Sequence, residues 1–165
     1  MDTGDAEKFT EWLNDLELTT YLSNYSNMLT LETEKALLEK LSKDHNYSIV
    51  DISTNNLIGA TGFMELDHIN QTGEAGIFIG DKNYWNKGYG TEAFQLLLDY
   101  GFKALNLHNV LLRVNSFNER AIKTYEKVGF KLIGKRRDAI KRGNKTHNLL
   151  YMDLLYNDFY KRYKP

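Results

Sequence analysis

The chain has 165 residues, 42% hydrophobic and 13% aromatic, which suits one folded domain over residues 1–165 and argues against disorder. With 21 Lys and Arg against 22 Asp and Glu, the formal charge of -1 gives no electrostatic reason to bind nucleic acid or an anionic membrane. Zero cysteines exclude disulfides, cysteine-ligated metal and a cysteine nucleophile, and His45, His68, His108 and His147 lack metal-ligand spacing.

Along the chain, Ala6–Leu13 has the apolar spacing of a short helix, with Phe9, Trp12 and Leu13 on one side. Thr19–Leu29 reads as a short helix with a loop, and Thr30–Leu41 as a better helix. Tyr47–Ile52 and Leu57–Leu66 form a hairpin around Ser53–Asn56, and polar Asp67–Thr72 leads into a buried strand, Gly73–Ile79. Thr91–Leu105 is the clearest helix, burying Ala93, Phe94, Leu97, Leu98, Phe102 and Leu105. Val110–Val114 is a strand, and Ser116–Val128 a helix that Gly129 stops. Lys131–Ala139 and His147–Leu155 close the chain as strands around Arg142-Gly143-Asn144. No apolar run approaches the roughly 20 residues that span a bilayer and no signal peptide is visible, so a cytoplasmic location is expected.

Two stretches carry chemistry. The first is Trp85-Asn86-Lys87-Gly88-Tyr89-Gly90-Thr91-Glu92-Ala93, a glycine-paired turn between a strand and a helix. Amides of a helix's first turn lack intrahelical partners, the helix dipole adds positive charge, and glycine lets the backbone approach an anion closely. Lys87 puts a cation beside that turn. The third glycine of the dinucleotide fingerprint and the Gly-Lys-Ser/Thr ending of a P-loop are both missing, so neither nucleotide motif fits. The second stretch, Val114 to Phe130, reads Val-Asn-Ser-Phe-Asn-Glu-Arg-Ala-Ile-Lys-Thr-Tyr-Glu-Lys-Val-Gly-Phe. Ser116 and Glu119 fit a capping box at its helix start. Asn118 and Tyr125 stand about two helical turns and roughly 10 Å apart on nearly one face. Periodicity alone makes Tyr125 a core residue, because Ala121, Ile122 and Val128 share its stripe.

Together the two stretches resemble the GNAT N-acetyltransferases, whose pyrophosphate loop usually reads Gln/Arg-x-x-Gly-x-Gly/Ala. Gly88 and Gly90 match, while Trp85 stands where Gln or Arg is commonest, as in the branch containing ribosomal-protein alanine N-acetyltransferases and spermidine acetyltransferases. The second stretch is similar to the family's Asn-x-x-Ala-x-x-x-Tyr-x-x-x-Gly-Phe signature. The resemblance runs from about Asp5 to the C-terminus. It implies an α/β (α+β) fold, the GNAT acyl-CoA acyltransferase fold, with a mixed, mostly antiparallel sheet flanked by helices and a splay between two central strands. Family members usually begin with a strand, and here only Met1–Gly4 precedes the first helix; the strand is absent, very short or trimmed away.

The resemblance also implies roles. Acetyl-CoA is the cosubstrate, with Gly88, Tyr89, Gly90 and Thr91 giving amides to its pyrophosphate and Lys87 reaching a phosphate. Pantetheine pairs with the strand through Ile77–Ile79, where the backbone near Phe78 or Ile79 polarises the thioester carbonyl. Asn118 touches the cofactor arm, and Tyr125 serves the sulfur, where a phenol suits protonation or hydrogen bonding of a thiolate. Glu74 is the best-placed general base for the attacking amine. Without cysteine, transfer is direct attack in a ternary complex.

The acceptor is an amine, with a protein or peptide N-terminus as the leading reading. A small amine (a spermidine-like polyamine or an aminoglycoside) and a non-catalytic acyl-CoA sensor are the alternatives. Trp12-Leu13-Asn14-Asp15 resembles a segment of the ribosomal-protein enzymes, and Asp15, Glu17, Glu65 and Asp67 either attract a cationic amine or are plain solvated charges. The basic stretch Lys131, Lys135, Arg136, Arg137, Lys141, Arg142 and Lys145 either faces the ribosome or the cofactor's 3′-phosphate or, more simply, is exposed hairpin charge. Homodimers are common in the family, and no segment here singles out an interface.

Overall fold

The computed structural model describes residues 1–22, 25 and 27–163; Ser23, Asn24 and Ser26 of the expected Thr19–Leu29 segment, and Pro165, lie outside them. The elements in order are α1 (Ala6–Leu13), α2 (Leu16–Thr19), α3 (Leu31–Leu41), β1 (Asn46–Asp51), β2 (Asn56–Asp67), β3 (Thr72–Ile79), α4 (Tyr89–Lys103), β4 (Asn109–Asn115), α5 (Glu119–Val128), β5 (Lys131–Arg142), β6 (Lys145–Leu155) and α6 (Tyr156–Arg162). The strands make one six-stranded sheet in the order β1-β2-β3-β4-β6-β5. It is mixed: β1–β2, β4–β6 and β5–β6 are antiparallel, and β3–β4 is parallel. That parallel ladder pairs Thr72, Gly73 and Glu74 with Asn109, Val110 and Leu111 and goes no further. No strand precedes α1 among the described residues. No helix is long and apolar enough to cross a membrane among those residues.

Three local expectations need correcting. The short helix near Thr19 lies earlier, at Leu16–Thr19, because Asp15 caps it: its carboxylate accepts the Glu17 and Leu18 amides at 2.8 and 3.3 Å. Ser116 does not cap α5. Asn118 does, accepting the Ala121 amide at 3.2 Å, while Ser116 pairs with Asn148 through its own amide (2.9 Å) and its hydroxyl oxygen (3.1 Å). Nothing was expected beyond Leu155, yet α6 forms there. Its signal was present as Tyr156, Phe159, Tyr160 and Tyr163, the i, i+3, i+4, i+7 spacing of one helical face.

The chain forms two compact units, Met1–Gly62 with Ile77–Gly90, and Phe63–Gly76 with Thr91–Pro165. In the first, α1 supplies Ala6, Phe9 and Trp12 to a core completed by Leu18, Leu38 and Ala60. Phe9, Trp12 and Phe78 meet edge to face with centroids 5.6–6.3 Å apart. In the second, buried Phe94, Leu98 and Phe102 of α4, Val110 and Leu112 of β4 and Met152 and Leu154 of β6 form the interior. Phe159 of α6 is fully buried and packs on Phe102, at 5.3 Å between centroids.

One group in the first unit is out of keeping with its surroundings. Glu34 of α3 is 1% exposed, one turn from Leu38, and its Oε2 has no hydrogen-bond partner among the described residues. Desolvation holds its carboxyl above the ordinary glutamate range. A raised folded-state value means stability that is full in acid and falls as the pH rises through that value. Glu34→Gln should therefore be more stable than wild type at pH 8, by about 1–3 kcal/mol if the whole desolvation cost is recovered. In urea denaturation the advantage should shrink toward pH 4; a gain that does not depend on pH would contradict this account.

Candidate active site

The turn after β3 is built from several independent fastenings. Gly80 and Asp81 both give their amides to the Ile58 carbonyl, at 2.9 and 3.2 Å. Trp12 lies so close over Gly80 that any Cβ there would collide with its ring. Asp81 caps a single 3-10 turn, Lys82–Tyr84, by accepting the Asn83 amide at 2.9 Å. The indole of Trp85 then donates from Nε1 to the Ile79 carbonyl at 2.8 Å. Tyr84 packs edge to face on Tyr89 with centroids 4.9 Å apart.

These fastenings deliver the chain to Gly88, which has φ +92°, a left-handed conformation that side chains other than hydrogen resist. A Cβ on Gly88 would meet nothing within 4 Å, so the space in front of this backbone is open. Helix α4 starts at once, two residues earlier than periodicity suggested, so Tyr89, Gly90 and Thr91 are its first three residues. Lys87 is exposed and has no ion-pair partner among the described residues.

Lys82 is the residue that sequence reasoning missed here. Its ammonium pairs with Asp15 at 2.6 Å and also with Glu17, so two of the four carboxylates expected to draw an amine share one cation. The Lys82 hydrogen bond holds the Asp15 carboxyl below the usual carboxylate range. Asp67, a third, is turned inward on its own loop, accepting the amides of Ile69 and Asn70 at 2.9 and 2.8 Å. Its carboxyl is likewise held low by the Asn70 hydrogen bonds.

In the second unit, Glu74 is 6% exposed and accepts a hydrogen bond from Arg113 Nε at 2.7 Å, across neighbouring strands. The pair raises the guanidinium further above its usual value. Arg113 too went unanticipated. Tyr125 is 8% exposed, with its ring 5.4 Å from Phe94 and 6.0 Å from Phe130 between centroids. Burial pushes its phenol up to about 12, so it stays protonated throughout the ordinary pH range. The hydroxyl has no hydrogen-bond partner among the described residues. Asn118, as the α5 cap, spends its carbonyl oxygen on Ala121 and retains its NH2 donors. Of the expected site residues, Phe78, Ile79, Lys87, Gly88, Tyr89 and Gly90 thus belong to the first unit, and Glu74, Thr91, Asn118 and Tyr125 to the second.

Residues 1–131 match the model of the acetyltransferase (GNAT) domain. The chain belongs to the GNAT acetyltransferase family. It is 28% identical over 165 residues to the uncharacterized N-acetyltransferase p20 of Bacillus licheniformis, covering 96% of this chain and 92% of that one. A spermidine N(1)-acetyltransferase of Vibrio cholerae is 30% identical over 127 residues, covering 70% and 73%. A crystal structure of spermidine N-acetyltransferase from Vibrio cholerae in complex with CoA and spermine superposes with a TM-score of 0.85 at 23% identity, covering 96% and 94%, and shows the shared fold.

This GNAT enzyme is therefore an acetyl-CoA-dependent N-acetyltransferase. The turn suits an anionic cosubstrate: its left-handed glycine faces open space, and a helix start, where the dipole adds partial positive charge, follows at once. Gly88→Ala forces a side chain into φ +92° or moves the turn, at a cost of about 1 kcal/mol or more. Acetyl-CoA affinity measured by calorimetry should fall roughly five-fold or more, and an unchanged affinity would remove Gly88 from the site.

Proposed function

We propose that the enzyme acetylates a primary amine bearing a single positive charge, such as a peptide or protein N-terminus. The observation that carries this reading is the pairing of its acids. A polyamine calls for several unpaired carboxylates, whereas Asp15 and Glu17 share Lys82, Asp67 is turned onto its own loop and Glu74 is paired with Arg113. Glu65 is exposed, and its charge acts on the Arg113 guanidinium. The second reading, a polyamine acceptor, is favoured by the spermidine acetyltransferases among the relatives. Thiol release from acetyl-CoA separates the two in one assay. Peptides with varied N-termini should give a higher kcat/KM than spermidine or aminoglycosides, and a clear preference for spermidine would overturn the peptide reading. The chain has no thiol of its own to react with the reporter.

Bound acetyl-CoA supplies the acetyl group and a thiolate leaving group. Amides of Gly88, Tyr89, Gly90 and Thr91 hold the pyrophosphate, with Lys87 adding charge. Backbone at Phe78 and Ile79 orients the thioester, the Ile79 carbonyl already accepting one hydrogen bond from Trp85. Asn118 offers its NH2 group to the cofactor arm. Glu74 keeps Oε1 on Arg113, so receipt of the amine's proton falls to Oε2, through water.

The role of Tyr125 follows from magnitudes. Its phenol sits at about 12, while an alkyl thiol titrates near ~8.5, so complete proton transfer to a thiolate is uphill by roughly 5 kcal/mol. Tyr125 therefore acts as a hydrogen-bond donor to the charge growing on sulfur and keeps its proton. A hydrogen bond to a charged group is worth about 1.5–3 kcal/mol, so Tyr125→Phe should lower turnover by roughly ten- to a hundred-fold. The wild-type pH–rate profile should show no falling limb from tyrosine ionisation up to pH 10. A loss below about three-fold would sink the role.

A further inference from the structure

We propose that Trp85 is the positioning residue of the acetyl-CoA loop, a clamp that uses one half-buried hydrogen bond to set where the amides of α4 point. The proposal rests on the reading of Gly88–Thr91 as the pyrophosphate site. Between the end of β3 and the start of α4 the chain runs nine residues, Gly80–Gly88, with one short 3-10 turn. Two of these residues, Asn86 and Gly88, are left-handed, at φ 59° and 92°. A loop of this kind has no ladder of its own to hold it, and each ordered residue loses conformational entropy.

The indole supplies the missing constraint from both of its faces of chemistry. Its ring packs against the first unit's core of Ala6, Phe9, Trp12, Leu18, Leu38 and Ala60. Its Nε1–H, 2.8 Å from the Ile79 carbonyl, ties the loop back to the last residue of β3. The hydrogen bond is directional and the apolar packing is not, so the packing holds the residue in while the hydrogen bond fixes its register. From Trp85 only Asn86, Lys87 and Gly88 intervene before α4. Fixing Trp85 therefore fixes the approach to the first-turn amides.

Trp85→Phe keeps the ring and deletes the donor, which makes it the decisive variant. Calorimetry with CoA should show a Kd weakened about five- to ten-fold, the equivalent of one neutral hydrogen bond. The acetyl-CoA KM should rise by a similar factor while kcat and the acceptor KM hold. Amide hydrogen exchange at Gly88–Thr91, measured without ligand, should quicken. A Kd equal to wild type, with only a lowered Tm, would make Trp85 a packing residue and overturn the proposal. Wild-type protein provides a check that does not depend on the variant folding: the Trp85 indole N–H should be protected from exchange, and prompt exchange also overturns it. Gly88→Ala separates the two layers. If it weakens CoA binding and Trp85→Phe does not, the clamp alone fails; if neither does, the pyrophosphate reading fails.

Discussion

The backbone turn at Gly88 is the constraint on which the first unit is organised. A helix presents unpaired amides only at its start, so their usefulness depends on how the chain enters that start. Here entry is through a left-handed glycine facing open space. Such a conformation does not hold itself in a nine-residue loop; tertiary contacts have to determine it. The unit provides them in sequence. Ile58 accepts two amides, Trp12 covers Gly80, Lys82 reaches Asp15 and Glu17, and Trp85 returns to Ile79. Together they act at Gly80, Asp81, Lys82 and Trp85, spread along the loop. The helices α1 and α2 accordingly do more than complete a core, because Trp12, Asp15 and Glu17 hold the loop directly.

The second unit solves a different problem, that of accommodating polar side chains with little solvent around them. Tyr125 lies among Phe94 and Phe130, where an ionised phenol would be poorly solvated, so burial makes it a dependable hydrogen-bond donor. Glu74 lies in equally little solvent, but Arg113 gives its charge a partner at 2.7 Å. Two buried polar groups thus receive opposite treatment, one kept neutral by desolvation and one kept paired by a cation. Glu34, in the first unit, has neither aid, and for that reason it stands out as a cost to stability.

The fold was largely legible because its signals are local. Amphipathic spacing placed α1, α3, α4 and α5, and the strand limits differ from expectation mostly by a residue or two. Errors arose where short-range rules compete. Ser116 and Asn118 are both good caps two residues apart, and the claim of β6 on Ser116 through Asn148 settled the contest. Asp15 moved α2 by the same mechanism, an N-cap that was read as an amine-attracting or solvated charge. The helix α6 was missed although its apolar spacing was visible, since a seven-residue segment at the end of a chain carries little periodic weight.

The site was legible by half, and the division has a physical origin. A glycine-paired turn before a helix declares its chemistry in adjacent residues, so the loop could be read directly. Ion pairing does not. Lys82 lies 65 residues from Glu17 and Arg113 lies 39 from Glu74, and no local pattern joins them. Counting carboxylates therefore exaggerates the negative charge available to an acceptor. Trp85 is the intermediate case. Its position in the motif was visible as a departure from Gln or Arg, yet its use depends on the carbonyl of Ile79 six residues earlier and on a core assembled from α1, α2 and α3. A residue that breaks a motif is informative once its partner is known. Here that partner is the end of β3, reached through the Ile79 carbonyl.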